Sequence, residues 1–196
     1  KADSLDIFID AKQFPLTFLN EYFQGVASNF GGKGAGMLRI YGPTKNILFD
    51  GEVDVTDGRA SIDLLNTSYS FNDRVKLTPY AIHLNNIKLI DSDKNEATLN
   101  GLIDHDGSFQ KMVYDVNINS NKILALNTTS SKDEFFYGKA YVGGLVKIFG
   151  NDSEANIVIN GTSKPGTKCY MSMVTASTAM ENDFITFGSL RKNQYI

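Results

Sequence analysis

The sequence predicts an all-β protein made of related, stacked strands, and three observations carry that reading. Apolar and polar residues alternate with period two along much of the 196-residue chain, the mark of strands with one buried face. Three strand-like phrases recur in the same order at nearly one spacing. Gly is abundant at 17, Pro scarce at 4, Trp absent and aromatic content 11%, which suits sheets joined by tight turns.

The repeat is specific enough to read residue by residue. Asp6-Ile-Phe-Ile-Asp10 returns as Asp115-Val-Asn-Ile-Asn119, 109 positions later. Gly36-Met-Leu-Arg-Ile-Tyr-Gly42 returns as Gly144-Leu-Val-Lys-Ile-Phe-Gly150 after 108, and Asn46-Ile-Leu-Phe-Asp-Gly51 as Asn156-Ile-Val-Ile-Asn-Gly161 after 110. Repetition of this kind belongs to architectures in which each unit leans on its neighbours. The predicted organisation is one β domain over residues 1–173, built from units at about 5–110 and 114–173. Residues 174–196 are read as the start of a following segment.

Each element follows from its pattern. Leu5, Ile7 and Ile9 alternate with Ser4, Asp6, Phe8 and Asp10. From Pro15 to Val26, Leu16, Leu19, Phe23 and Val26 recur at three- and four-residue steps. This predicts a short amphipathic helix with Pro15 at its first position, laid over one end or edge of the sheet. The glycines of Gly31-Gly-Lys-Gly-Ala-Gly36 precede an alternating strand, with no Lys-Ser/Thr after them. They read as a strand entry or a close approach of backbones, not as a phosphate cradle. Val53 and Val55 lead to Asp57-Gly58, a predicted hairpin turn, with Ala60, Ile62 and Leu64 as the return strand. Val75/Leu77, Ile82/Leu84 and Ile87/Leu89 follow, then a turn from Asp91 to Asn95 into Ala97 and Leu99. Val116/Ile118, Val146/Ile148 and Ile157/Ile159 complete about a dozen short strands, and Leu124 to Phe136 reads as a loop.

The repeated phrases also sort into faces. Leu38, Ile40, Val146 and Ile148 share an aliphatic side. Met37, Arg39 and Tyr41, like Leu145, Lys147 and Phe149, place a cation between apolar residues on the other, a pattern for a partly exposed outer face.

Composition narrows the function. A net charge of −3 with 21% charged residues offers no basic field for nucleic acid. A single cysteine, Cys169, forms no internal disulfide. No apolar run reaches the ~18 residues of a membrane helix. The chain opens on Lys1 with no leader pattern, and it is read as a piece of a longer protein.

Catalytic constellations are thin. His83 lies between Ile82 and Leu84 and so points to the wetter face; Asp104-His105-Asp106 before Gly107 reads as a solvated hairpin tip. Ser108 lacks the strand-elbow-helix setting of a nucleophile. Asp91-Ser-Asp93-Lys-Asn95 imitates half a calcium loop, but Glu96 stands where that loop needs Gly and Leu102 where it needs Glu. The reading is no enzyme, no metal site and no cofactor.

Tyr69-Ser-Phe71, Gly101-Leu-Ile-Asp-His-Asp-Gly-Ser-Phe109, Leu126-Asn-Thr-Thr129, Phe136-Tyr-Gly-Lys-Ala140 and Gly144-Leu-Val-Lys-Ile-Phe-Gly150 follow one another in an order that resembles the C-terminal region of the TamB family. These are the translocation and assembly module inner-membrane proteins of the AsmA-like group, here in wording similar to that of the Bacteroides group. The resemblance spans roughly residues 5 to 173. It implies an elongated, curled antiparallel sheet, a β-taco, with an aliphatic trough inside. It also implies a periplasmic bridge, anchored in the inner membrane, that carries phospholipid towards the outer membrane. A TamA-type outer-membrane barrel is the implied partner, through parts outside this chain.

On that reading the trough is lined by Ile7, Ile9, Leu38, Ile40, Ile47, Phe49, Val116, Ile118, Val146, Ile148, Ile157 and Ile159. Pattern alone leaves open that these residues pack a closed sandwich core. It also leaves open a non-enzymatic module that contacts proteins during outer-membrane assembly through its edge strands.

Overall fold

A computed structural model describes residues 4–107, 111–129 and 136–171. Eleven strands are present: β1 Ser4–Pro15, β2 Ala27–Pro43, β3 Leu48–Ile62, β4 Thr67–Phe71, β5 Arg74–Thr78, β6 Ala81–Asp91, β7 Glu96–Asp104, β8 Val113–Thr128, β9 Phe136–Asn151, β10 Glu154–Ser163 and β11 Lys168–Met171. All belong to one antiparallel sheet whose neighbours follow chain order. The predicted all-β class is therefore correct, although β2, β3, β8 and β9 are long rather than short. Residues 174–196, read as a following segment, lie outside the described residues.

Two lanes of the sheet hold two strands each. β4 and β5 both lie between β3 and β6, end to end. Their junction is fastened on both sides: Val55 N donates to Asp73 O and Asp57 N to Asn72 Oδ1, while Lys88 N donates to Asp73 Oδ2. β10 and β11 likewise share the lane beside β9. Lys164 N there donates to Tyr141 O, and Tyr141 N to Thr167 Oγ1, across the Pro165-Gly166 interruption.

Three local expectations need correction. Asp57 does adopt positive φ, 52°, in the left-handed region, yet β3 runs straight through it. The left-handed residue serves a β-bulge, opposite register shifts in β2 between Ser28 and Lys33, and not a hairpin. Ala60 and Ile62 accordingly belong to β3 itself, and Leu64 lies exposed beyond its end. The helix is a single 3-10 segment, Leu16–Glu21, with Pro15 as its N-cap. β1 consumes the residues up to Pro15, leaving too few before the turn at Gly25 for a stable α-helix. Leu124 to Thr128 is strand, not loop, because β8 pairs with β9 as far as Thr128 and Gly138.

The sheet curls over itself. β7 begins only at Glu96, so the last third of β8 extends past it and meets the β4 end of the sheet beyond the β6–β7 turn. Tyr69 Oη donates to Leu124 O at 2.7 Å, Asn127 N to Leu65 O at 2.9 Å, and Asn66 Nδ2 to Asn127 O at 2.6 Å. Burial pushes the Tyr69 hydroxyl pKa up to about 12, so it remains a donor. The main core fills this fold: Ile87, Ile123 and Ala125 are almost wholly enclosed, with Leu89, Tyr114, Ile118, Val146 and Ile148 around them.

The repeated glycines have a structural cause. A Cβ on Gly36 would lie 2.0 Å from Glu52 O, and one on its counterpart Gly144 would lie 2.4 Å from Asn160 O. Both positions bring a neighbouring strand's carbonyl too close for any side chain. Gly36→Ala should destabilise the fold by roughly 1–3 kcal/mol. Urea unfolding reads this as a lower midpoint, and an unchanged midpoint would remove the close-approach account.

Candidate functional site: the inner face and its open end

The two copies of the repeat are superimposable in register. Ile7 pairs with Ile40 and Ile9 with Leu38 on β1–β2; Val116 pairs with Ile148 and Ile118 with Val146 on β8–β9. The outer faces match too. Arg39 makes a bidentate pair with Asp6, both contacts 2.8 Å, and lies over the Tyr41 ring at 4.5 Å. Lys147 reaches Asp115 at 2.8 Å and lies over Phe149 at 5.2 Å. In the first copy the hydrogen bond donated by Arg39 holds the Asp6 carboxyl below the usual carboxylate range.

The third phrase is out of step. Ile40 faces Phe49, but Ile148 faces Ile157 where the phrase match would place Ile159. The loop between β9 and β10 is shorter than that between β2 and β3, which accounts for the slip. A two-residue slip leaves every side chain on its original face.

The twelve predicted lining residues all fall at one face or its rim, but in two environments. Ile118, Val146 and Ile148 are sealed in the core, with Val116 and Ile157 packed against it. Ile7 and Ile9 remain 43% and 39% exposed, and Leu38, Ile40 and Phe49 beside them are half-buried. Ile47 is half-buried in the hairpin before β3, and Ile159 is exposed on β10. Of the lining residues, those on β8–β9 are thus closed core, whereas those on β1–β2, with Ile159 of β10, form open apolar surface.

A second cluster bounds the open part. Leu16 of the 3-10 segment is buried with Val53 and Val55, flanked by Phe14, Leu19, Leu38, Phe71, Val75 and Leu77. The segment therefore covers the inner face at one end and leaves Ile7, Ile9, Ile40 and Phe49 open towards the other. Apart from Leu38, sequence reasoning left this cluster off the trough lining. The alternation of Val53/Val55 and Val75/Leu77 carried the signal. Beyond the 3-10 segment, Tyr22, Phe23 and Val26 face Met112, Tyr114 and Asp152 across a cleft of about 130 Å³.

The chemically suggestive motifs resolve into structure. Asp91 is buried and accepts from Asp93 N, Asn95 N, Asn95 Nδ2 and Leu124 N. Its loop is the β6–β7 turn, tied to the curl. Asp93 pairs with Lys139 at 2.7 Å and accepts from the Tyr141 hydroxyl. These contacts, Lys139 first, lower its pKa. His83 is half-buried on the outer face, 3.3 Å from Thr78 Oγ1. Among the described residues no group of three or more His, Cys, Asp or Glu could hold a metal ion, and no helix is long and apolar enough to cross a membrane. Ser108 lies outside the described residues.

His105 departs from the solvated tip expected of it. It is buried, its N donates to Tyr80 O at 2.9 Å, and its Nδ1 accepts from Gly107 N at 3.0 Å. Burial lowers its pKa, with Asp106 and Asp104 opposing. The unfolded chain then binds this proton more readily than the folded one. Stability from a neutral His105 is present above the ordinary value of 6.5 and is lost as pH falls through the depressed value. His105→Gln should flatten the stability–pH curve in that window. An unaltered slope in urea titrations there would contradict it.

Comparison with family models, curated proteins and solved structures finds no match to this chain.

Proposed function

We propose that this chain is a non-enzymatic bridge segment that shields lipid acyl chains along its inner face. One observation carries the reading: a single aliphatic face continues from sealed core into an open stretch that ends at β1, the edge strand among the described residues. Exposing a methylene to water costs about 0.8 kcal/mol, so a sixteen-carbon chain costs on the order of 12 kcal/mol. An open stretch lined by Ile7, Ile9, Leu38, Ile40 and Phe49 offers cover while a headgroup stays in water. With few polar groups on that face, no position holds the chain fast, and lipid can slide. The setting that fits is the periplasm, with phospholipid passing towards the outer membrane and a TamA-type barrel engaged by parts outside this chain.

The test is lipid extraction and native mass spectrometry of the purified chain. Co-purifying phospholipid supports the reading. Ile40→Asp, at a half-buried position of the open stretch, should reduce lipid occupancy about tenfold or more while the circular dichroism stays unchanged. Undiminished lipid crosslinking in that folded variant would overturn the proposal.

A second reading, a protein-contact module in outer-membrane assembly, is favoured by one feature. The free strand β1 exposes Phe8 on one face and Ile7 and Ile9 on the other. Pull-down of outer-membrane barrel proteins without lipid would select it.

A further inference from the structure

The free edge of β1 has an internal counterpart whose neighbour is known. In the repeat, Leu5-Asp-Ile-Phe-Ile9 corresponds to Tyr114-Asp-Val-Asn-Ile118 of β8. On β8 the equivalent edge is covered by β7, antiparallel, with Leu99 opposite Ile118, Gly101 opposite Val116 and Ile103 opposite Tyr114. The covering strand reads Leu99-Asn-Gly-Leu-Ile103, and β1 itself reads Leu5-Asp-Ile-Phe-Ile9. Apolar and polar positions agree throughout with the covering strand, and at all but Phe8, which stands where β8 has Asn117, with the covered one.

We propose that two copies of this chain associate by antiparallel pairing of β1 with β1, about a two-fold axis at Ile7. Carrying over the β7–β8 register sets Ile7 opposite Ile7 of the second copy, Leu5 opposite Ile9, Asp6 opposite Phe8, and Ser4 opposite Asp10. The inner-face ladder is then wholly aliphatic and no like charges stand directly opposed. The contact is isologous and closed, as a two-fold dimer requires. Asp6 opposite Phe8 has its precedent in Asp115 opposite Leu102. Two positions depart from the β7–β8 template: Phe8 in the place of Asn117 and Ile7 in the place of Gly101. A side chain at Gly101 would collide with Asp115 O and Val116 of the neighbouring strand, so the β1–β1 pair needs a wider strand spacing at this position, such as Ile7 keeps opposite Ile40 on its other side.

The stretch from Ser4 to Asp10 has no Lys, Pro or bulge to blunt it, and its carboxylates are Asp6, paired with Arg39 of β2, and Asp10 at its end. Lys12, Pro15 and the register shift between Ala11 and Phe14 all lie beyond it. The opposite edge differs: β10 carries Asn156, Asn160 and Thr162 and is interrupted at Pro165-Gly166. β10 also runs in the same direction as β1, so pairing those two edges between copies with their inner faces on one side would be parallel, which no ladder among the described residues uses. Dimerisation through β1 would join two inner faces at their open ends.

The readout is oligomeric state, so it stands or falls separately from acyl-chain binding. Light scattering on the intact chain should give twice its 21.6 kDa mass. Ile7→Lys, which sets two ammonium groups against each other on the axis, should give a folded monomer. In a Cys169→Ser background, Ile7→Cys should crosslink to itself under mild oxidation. Asp10→Cys should not, because its copy lies six residues away along the strand, about 20 Å. A monomer at every concentration reached, a dimer that survives Ile7→Lys, or equal crosslinking at both cysteines would overturn the proposal.

Discussion

Asp91→Ala is expected to lower stability by about 3–5 kcal/mol, the largest loss for a single polar side chain in this protein. The carboxylate is enclosed and accepts four hydrogen bonds. Three come from its own turn and one from Leu124 N, on the part of β8 that closes the curl. Removing it strands these donors, the Leu124 amide in fully buried surroundings. Asp91→Asn separates the two roles. Its amide oxygen can keep the Oδ1 contacts to Asp93 N and Asn95 N, but its NH₂ would then face the donors Leu124 N and Asn95 Nδ2. The turn should survive in Asn, and the tie to β8 should not. Hydrogen exchange at the Leu124 amide measures that tie directly. If Asp91→Ala unfolds at the wild-type urea midpoint, the curl does not depend on this carboxylate.

Ile148→Asp should leave no folded population, whereas Ile40→Asp should fold. The two residues are counterparts in the repeat, on the same face and in the same register with Val116 and Ile7. Ile148 is 3% exposed. An aspartate there either carries an unpaired charge in apolar surroundings or takes up a proton, and both add to the lost side-chain burial. The combined cost, on the order of 5 kcal/mol or more, is comparable to the whole stability of a domain. Ile40 is half-buried beside exposed Ile7 and Ile9, so an aspartate there keeps contact with water. Circular dichroism and urea titration of both variants decide the matter. Equal loss in both would mean that the β1–β2 face is as closed as that of β8–β9 and would remove the open stretch on which lipid shielding depends.

The fold class was legible because strand signals are local. Period two in Ile7/Ile9, Val53/Val55 and Ile87/Leu89 follows from the alternation of side chains across a pleated strand, and it survives whatever those strands pack against. Equal faces in the two copies were legible for the same reason, and the matched pairs Arg39–Asp6 and Lys147–Asp115 follow from them. Turn chemistry was legible only in part. Asp57-Gly58 announces positive φ, but a bulge within a long strand and a hairpin between two short ones call for the same residue. Only the partner strand decides between them. The segment after Pro15 shows helical spacing, but its length was set by how far β1 pairs with β2.

By itself, the sequence determined a sheet of repeated strands with one aliphatic face and a cation-bearing opposite face. Only the tertiary structure decided which part of that face is core and which is surface. The twelve lining residues look alike in the chain, yet Ile148 is enclosed and Ile9 is not. Enclosure depends on the curl that brings the end of β8 over β4, fastened by Tyr69, Asp91 and Asn127. Those contacts join residues far apart in the chain, and no local pattern records them. Among the described residues β1 lies outside the curl with no strand on its other side, so the same aliphatic residues meet water there.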